Sequence, residues 1–407
     1  MGTSVAAHRA AVYELLAPLA AREPELRVLD EALGLALAAD LVAPVSLPPF
    51  DNSQMDGFAI RAEEFASPME RREFAVAAPI PAGAVPVPLE AGQAAPIMTG
   101  AMLPAGANAI VPIEAAVPPR FPDLALGSPD HERVSLPAVE PGTFVRRAGS
   151  DVESGAVVLA AGTRLGPAQL GLAAALGLNE VPVRAPLQCA VVSTGAELAM
   201  RGARLEPGQI HDANGALLSA ALREAGLTAR AFAVRSDEPG DLLAALDDAT
   251  GWADLVLTTG GVSKGAFEAT KLALAGHDVT FVHLAMQPGG PQGIGTVNGV
   301  PFLGFPGNPV SCWVSWEVLV RPVLAELLGV PAARRRFALP LAEPLQSPAG
   351  KLQVRRARVD EGSGTVALVG GAGSHLLGAL AGSDALVLVP EGVTELAAGT
   401  DVEVWLL

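Results

Sequence analysis

The chain has 407 residues, half of them apolar and 17% charged, with a formal net charge of −16. That length accommodates several domains with real cores, and the acidic balance speaks against a nucleic-acid partner because no basic patch is at hand to meet phosphates. No apolar run is long enough to cross a bilayer, no signal-peptide pattern opens the chain, and Cys189 and Cys312 sit in apolar runs rather than a disulfide framework; a reducing cytoplasm is the expected location.

Residues 5–20 carry helical periodicity, and residues 30–39 predict a second helix with Asp30 as N-cap. A proline-rich turn then leads into DNSQMDGFAI, Asp51 to Ile60. This is a loop by composition. Phe50, Met55 and Phe58, interleaved with its polar groups, predict that it is packed into place. From 68 to 142 the chain is rich in Pro, Gly and Val with short strand-like pieces, which indicates a small β domain inserted into another unit. Within it PIMTGAMLPAGANAIVPIE puts Thr99 and Gly100 at a strand end. Arg146, Arg147 and Asp151 of VRRAGSDVESG read, on their own, as a surface charge cluster. Residues 157–159 predict a strand and residues 167–176 a helix with proline at its first position, returning to the unit begun by the N-terminal helices.

From Leu187 the texture changes to alternating strand and helix. Residues 188–194 predict a buried strand that runs into Ser193-Thr194-Gly195, with Glu197 just beyond. Asn214 is expected to cap a helix through Glu224, and a strand ending near Val234 leaves Asp237 at its carboxyl end. Residues 239–249 predict the next helix. Asp254 to Lys271, DLVLTTGGVSKGAFEATK, then reads as strand, glycine-rich loop and helix, the arrangement by which α/β proteins bring backbone N–H groups to an anionic or heterocyclic ligand. Two more strands are expected near 280–284 and 301–304, and FPGNPVSCWVSWEVLVRPVL enters a long apolar helix. Asn308 is its expected N-cap, Pro309 its first residue, Pro322 a kink and Gly329 the stop. Ser193-Thr194-Gly195, Thr259-Gly260-Gly261 and Pro306-Gly307-Asn308 would then stand on one edge of a doubly wound sheet, where open α/β sheets bind ligands.

Beyond residue 330 the pattern reverts to short strands with Gly and Pro turns, a small barrel or sandwich with basic spots at 334–336 and 355–358. Familiar catalytic signatures are missing: no phosphate-loop G-x-x-x-x-G-K-[ST], no H-E-x-x-H, no paired C-x-x-C, no G-x-S-x-G. GGPQGIG, residues 289–295, lies between strands rather than at a helix entry and is set aside as a dinucleotide loop. Carboxylates at loop ends remain, namely Asp56, Asp151, Glu197, Asp237 and Glu268. Acids beside glycine loops suit Mg²⁺ with a phosphorylated ligand, since Mg²⁺ is usually held by one or two carboxylates plus phosphates.

PPFDNSQMDGFA, IMTGAMLPAGANAIVP, VRRAGSDV, VVSTGAEL, TTGGVSKG and FPGNPVS, in this order, resemble the molybdopterin molybdenumtransferases, the molybdenum insertases related to the E domain of gephyrin. The resemblance spans essentially the whole chain. It implies an α/β and β multidomain subunit: an elongated helical and β domain (1–43 with 143–180), an inserted β domain (44–142), a glycine-loop α/β domain of the molybdopterin-binding type (181–329) and a C-terminal β-barrel-like domain (330–407). It further implies a homodimer with an active site shared between subunits, adenylylated molybdopterin and molybdate as substrates, AMP as product, and molybdopterin adenylyltransferase and apo-molybdoenzymes as partners. The family's catalytic acids and hydroxyl fall on Asp56, Thr99, Asp151, Glu197 and Asp237, and a further Asp is replaced here by Glu268. The family's paired prolines fall on Pro306 and Pro309, with Ser311 close behind, and its C-terminal arginine and serine on Arg356 (in register with or beside Arg355) and Ser374. The strand-end loops add Ser193, Thr194, Gly195, Gly260, Gly261, Ser263, Lys264, Gly307 and Asn308 as expected ligand positions, Lys264 being unusual at its place.

The implied metal is Mg²⁺ on Glu197 and Glu268, with Ser311, Arg356 and Ser374 orienting molybdate. Molybdate oxygen or water would attack the phosphoryl centre, with catalysis electrostatic rather than nucleophilic. One departure stands out: where the family commonly carries lysines around a K-P-G-K segment, this chain has His283, Gln287 and Gly290. Lys264, one of only three lysines, is a candidate to supply the missing charge. A molybdopterin adenylyltransferase, or a non-catalytic molybdopterin-binding scaffold, are the competing readings.

Overall fold

Alternation of apolar side chains along a few short strands organises the centre of the molecule. The computed structural model describes residues 2–121, 132–262, 269–329 and 333–407. Its central sheet is built from β1 (Gln188–Thr194), β2 (Thr228–Val234), β3 (Leu255–Thr259), β4 (Val279–His283), β5 (Pro291–Val297) and β6 (Val300–Phe305), ordered β2-β1-β3-β6-β5-β4. The first four in that order are parallel, whereas β5 runs antiparallel to both of its neighbours. Odd and even positions of β1 feed different cores. Cys189 and Val191 join Leu255, Leu257, Leu303 and Phe305 on one face, with Leu218 and Leu222 of α1 (Asn214–Glu224). Ala190 and Val192 join Val256 and Phe302 on the other, with Leu242 and Leu246 of α2 (Pro239–Thr250). Two covered faces explain why these strands read as continuous apolar runs.

Strand β5 was not legible as a strand, because glycines weaken β-propensity. They are there for space. A Cβ on Gly295 would sit 1.9 Å from the Asp278 carbonyl oxygen, and one on Gly293 would sit 3.0 Å from the Phe281 ring. The short α3 (Ala269–Ala273) precedes β4, and the apolar run after β6 forms α4 (Pro309–Ser315), a π turn (Trp316–Val320) and α5 (Arg321–Leu328). Pro322 lies in the first turn of α5, directly after the π turn, so the proline falls where the hydrogen-bond ladder of the continuous helical run changes step. Gly329, at φ +73°, stops it as expected. Glu317 in the π turn is fully buried and is paired with Arg321 and Arg334, both of which also meet Glu224 at the end of α1. Arg334 is thus a structural tie into the C-terminal part, not a surface balance charge.

The N-terminal helix, Val5–Leu16, is capped by Ser4, whose Oγ accepts the Ala7 N–H at 3.1 Å. The second helix expected over 30–39 does not form. A single 3-10 turn (Leu29–Glu31) is followed by Gly34 at φ +80° and by bridges from Ala36 to Arg164 and from Leu37 to Val183. Fully buried Leu37, seated with Leu165, Val181 and Val183, outweighs the helix propensity of the Ala/Leu run. Around it Pro24–Val28 pairs with Glu180–Arg184, and Leu41–Val42 with Val157–Leu159.

Farther along, a five-stranded sheet runs in the order Ala109–Pro112, Gly57–Ile60, Gln93–Ile97, Arg71–Val76, Arg133–Pro137, over a core of Phe58, Ile60, Phe74, Val111 and Leu136. The tail of DNSQMDGFAI is therefore a buried central strand, consistent with a segment packed into place. The C-terminal sheet orders Met286–Gln287, Leu352–Asp360, Ala385–Val389, Asp401–Leu406 and Arg336–Pro340, with Thr365–Leu368 alongside the long strand. Its edge strand, Met286–Gln287, is lent by the α/β part and contains one of the positions where lysine is expected. Among the described residues, no helix is long and apolar enough to cross a membrane.

Candidate functional site

The loops that leave the carboxyl ends of β1, β3 and β6 open onto one cavity of about 490 Å³. Its wall includes Ser193, Thr194, Gly195 and Glu197 from the first, Gly260, Gly261 and Val262 from the second, and Gly307, Asn308 and Pro309 from the third. Because β1, β3 and β6 are parallel neighbours, their ends must share an edge, and the cavity size is that of a small-molecule site. The loops touch. A Cβ on Gly260, which has φ +99°, would come 2.8 Å from the Thr194 carbonyl oxygen, and one on Gly307 would come 3.5 Å from the Gly260 Cα. Glycine at 260 is required both by backbone conformation and by the approach of the neighbouring loop.

Ser193 is 1% exposed and Thr194 8%, yet neither hydroxyl has a hydrogen-bond partner among the described residues. The Oδ1 of Asn214, at the start of α1, is likewise buried and unpartnered. Buried polar atoms left unpaired cost stability, so three around one cavity are candidates for bonding to a ligand or to water. Three carboxylates share the wall. Glu197 folds back over Gly195, Asp237 accepts the Ala196 N–H at 3.1 Å, and Asp212 accepts the Gly215 N–H at 2.9 Å.

Asn214 corrects one expectation. Ala213 occupies the N-cap position and Asn214 is the first helical residue, so its amide is free to reach across and donate to the Gly307 carbonyl at 2.7 Å. Asn308 does hold the N-cap position of α4, but its side chain makes no capping bond to the helix. It donates instead to Ser374 Oγ at 2.9 Å, and the Val310 N–H meets the Ser374 carbonyl at 3.2 Å. The C-terminal domain thereby reaches the third loop within the same chain. Behind Ser374, Arg356 is 2% exposed and donates to the carbonyls of Gly371 and Gly373, while Arg355 donates to Gly370. Burial, reinforced by Arg355, lowers the pKa of the Arg356 guanidinium. Both arginines buckle the 370–374 loop, and Arg356 serves the segment just before Ser374. Pro306 and Ser311 are buried next to the third loop but do not line the cavity.

Around the missing lysines, His283 and Gly290 fit each other, because a Cβ at 290 would lie 2.8 Å from the imidazole. Gln287 accepts from the Gln353 amide at 2.9 Å. Ser263, Lys264 and Glu268 lie outside the described residues.

Asp56, Thr99 and Asp151 do not line this cavity. They belong to a second, exposed patch in which three distant motifs are laced together. The Gly100 N–H donates to Ser53, Gln54 to Phe144, Gly149 to Pro48 and Asp151 to Leu47. Arg147 binds Asp51 at 2.6 Å. Asp56 Oδ1 accepts both the backbone N–H and the hydroxyl of Thr99, each at 2.7 Å, and these two bonds hold its carboxyl below the usual carboxylate range.

Sequence reading missed Asp212 and Asn214. Their only signal was an Asp two residues before an Asn at a helix start, a pattern indistinguishable from ordinary capping. Among the described residues no group of three or more His, Cys, Asp or Glu side chains is gathered to hold a metal.

Comparison with known proteins agrees with this layout. Residues 3–177 match the MoeA N-terminal region (domain I and II), 190–326 a probable molybdopterin binding domain, and 338–407 the MoeA C-terminal region (domain IV). The molybdopterin molybdenumtransferase 2 of Mycobacterium tuberculosis (strain CDC 1551 / Oshkosh) is 45% identical over 99% of both chains. The molybdopterin molybdenumtransferase of Synechococcus elongatus is 37% identical over 90% of this chain and 91% of its own. A crystal structure of the molybdopterin biosynthesis MoeA protein from Pyrococcus horikoshii superposes with a TM-score of 0.82 at 30% identity, covering 100% of this chain and 99% of that one. This chain belongs to the molybdopterin molybdenumtransferase family.

Proposed function

We propose that the protein is the enzyme that inserts molybdate into adenylylated molybdopterin with release of AMP, the last step of molybdenum cofactor biosynthesis. The observation that carries this reading is the single cavity shared by three glycine-bearing strand ends, with the hydroxyls of Ser193 and Thr194 buried in its wall without partners among the described residues. Backbone N–H groups of the Gly260 and Gly307 loops hold phosphate oxygens, and the two hydroxyls bond polar atoms of the ligand. The net charge of −16 does not oppose this, because at cell salt distant charge is screened beyond about 8 Å and local donors decide.

Mg²⁺ fits this donor set on chemical grounds: it needs hard oxygen ligands but only one or two carboxylates, the rest coming from phosphates and water. Glu197, on the cavity wall, is the described residue that would hold it, with Glu268 the second expected ligand. When bound, the ion draws charge from the bridging phosphates. The chain's own part is to fix the ligand between the loops and to present Ser374, held by Asn308 and the Arg356-buckled loop, for molybdate.

The reading includes a homodimer in which Asp56, Thr99 and Asp151 of one subunit complete the cavity of the other. Their exposure and their absence from the cavity of their own chain support it. So do Leu26 and Leu33, 68% and 61% exposed, and the cross-strand pair Val42 and Val157, which leave apolar surface for a second copy. The four-domain division, with boundaries near 43, 142, 180 and 329, is supported by apolar clusters of the inserted β part and of the C-terminal part that stay within their own bounds, whereas the large cluster of the α/β part also takes in Val5, Val12 and Leu16 of the N-terminal helix and Leu386 and Trp405 of the C-terminal sheet. Apo-molybdoenzymes in the cytoplasm would receive the product. The test incubates purified protein with adenylylated molybdopterin, Mg²⁺ and molybdate. Molybdate-dependent AMP release with activation of an apo-molybdoenzyme is the expected result. Absence of release overturns the reading, and ATP-driven adenylylation of molybdopterin would replace it with the adenylyltransferase.

A further inference from the structure

The corner of the cavity at the start of α1 has a chemistry different from the rest. A helix N-terminus ordinarily attracts an anion. Here Asp212 already occupies that position, one carboxylate oxygen taking the Gly215 N–H at 2.9 Å. Its other oxygen, Oδ2, has no hydrogen-bond partner among the described residues, and it lies 2.4 Å from where a Cβ on Gly215 would stand. Ser193 Oγ lies 3.1 Å from the same point, 99% buried as a residue and without a partner among the described residues. Asn214 spends its amide N–H on the Gly307 carbonyl, and this bond fixes which way the amide faces. Its Oδ1 is therefore left as a buried acceptor on the cavity wall.

Two fixed acceptors and one carboxylate charge repel phosphate. They suit a neutral heterocycle that presents two adjacent N–H donors. The 2-amino-4-oxo edge of a pterin offers such a pair, N3–H and the 2-amino group, whereas adenine pairs its one amino donor with a ring acceptor. We propose that Asp212 and Asn214 read the donor edge of the pterin, with Ser193 beside them, so that the pterin end of the substrate lies at α1 and its phosphates run toward the Gly260 loop. This rests on the functional reading above.

Asp212→Asn and Asn214→Ala test it, with binding of purified molybdopterin and of AMP followed separately by equilibrium dialysis on the full-length protein. Asparagine caps a helix as well as aspartate, so the first variant keeps the fold while exchanging the carboxylate for a neutral amide. A charge-assisted hydrogen bond is worth about tenfold or more in affinity. Asp212→Asn is therefore expected to bind molybdopterin at least about tenfold more weakly, and Asn214→Ala, which loses a neutral bond, about threefold to tenfold, with AMP affinity unchanged. Unchanged molybdopterin affinity in both variants overturns the assignment. Equal loss for AMP and molybdopterin overturns it too, since that is what a merely structural role gives, and a loss confined to AMP places adenine in the corner instead. Wild-type protein that binds neither probe sinks the functional reading itself, which is a separate outcome.

Discussion

Two regions hold most of the carboxylates singled out in this chain, and they are built on opposite principles. Around the α/β cavity, polar atoms are buried and left without partners among the described residues, as at Ser193, Thr194 and Asn214. In the exposed patch of the β lobe the acids are out in solvent, and Asp56 and Asp51 are satisfied by their own chain, through Thr99 and Arg147. An unsatisfied buried site has bonds to offer to water or a ligand, whereas a satisfied exposed one has few left to offer. The difference fits the tasks proposed above, one region receiving the substrate and the other closing over the cavity of a second copy.

The sharpest way to break that comparison is subunit complementation. Asp56→Asn and Glu197→Gln are each expected to abolish AMP release as homodimers. If the two regions meet across the dimer, mixing the variants restores one intact site per heterodimer, roughly a quarter of wild-type activity after random exchange. If they meet within one chain, every site in the mixture stays broken and no activity returns. Measured AMP release after co-refolding decides between them.

Next in size is a pair of glycines with similar backbones and different surroundings. Gly260 at φ +99° lies against the Thr194 carbonyl, while Gly100 at φ +78° faces open space. Gly260→Ala is expected to cost about 3 kcal/mol from conformational strain and overpacking together. Gly100→Ala should cost about 1 kcal/mol, from conformation alone. Urea unfolding of both variants checks this, and equal losses would mean that the loops around the cavity are not packed on one another.

Ser193→Ala probes the unpaired hydroxyl directly. Removing a buried polar atom that has no partner is expected to leave the unliganded protein as stable or about 1 kcal/mol more stable, while ligand binding weakens about tenfold. A variant that loses stability without losing affinity would show that Ser193 belongs to the fold and not to the site.

Much of this layout was legible beforehand, for identifiable reasons. The three strand ends could be placed on one edge because the strands read as apolar runs and their loops as glycine turns, and parallel neighbours leave no other arrangement. The C-terminal strands were legible as short runs set between Gly and Pro turns. What escaped was whatever depends on contacts between distant segments. The residues 30–39 look helical by propensity, but Leu37 finds its partners at 165, 181 and 183. The glycines of β5 look like a loop, yet they answer to the backbone at Asp278 and the ring of Phe281. Asn214 looked like a cap because its reach to Gly307, 93 residues away in the chain, leaves no local trace. Even the departure from the lysine pattern was visible only as missing charge. That Gly290 leaves room for the His283 ring emerges once β4 and the turn after it are side by side.

The smallest expected effect concerns Asp56 and Thr99, and it separates a satisfied site from an idle one. Two bonds from Thr99, the backbone N–H first and the hydroxyl second, stabilise the carboxylate and hold its pKa below the usual range. A group depressed in this way keeps its tie fully above the ordinary carboxylate pKa and loses it as pH falls through the lowered value. Thr99→Val removes the hydroxyl bond and leaves the N–H bond, so the Asp56 pKa should rise part of the way toward normal. If Asp56 acts in the reaction as its carboxylate, the acid limb of the AMP-release profile moves to higher pH in the variant, with activity at neutral pH reduced about threefold. If the limb stays where it is while an NMR titration shows that the Asp56 pKa has risen, the tie between Asp56 and Thr99 shapes the loop and takes no direct part in the chemistry.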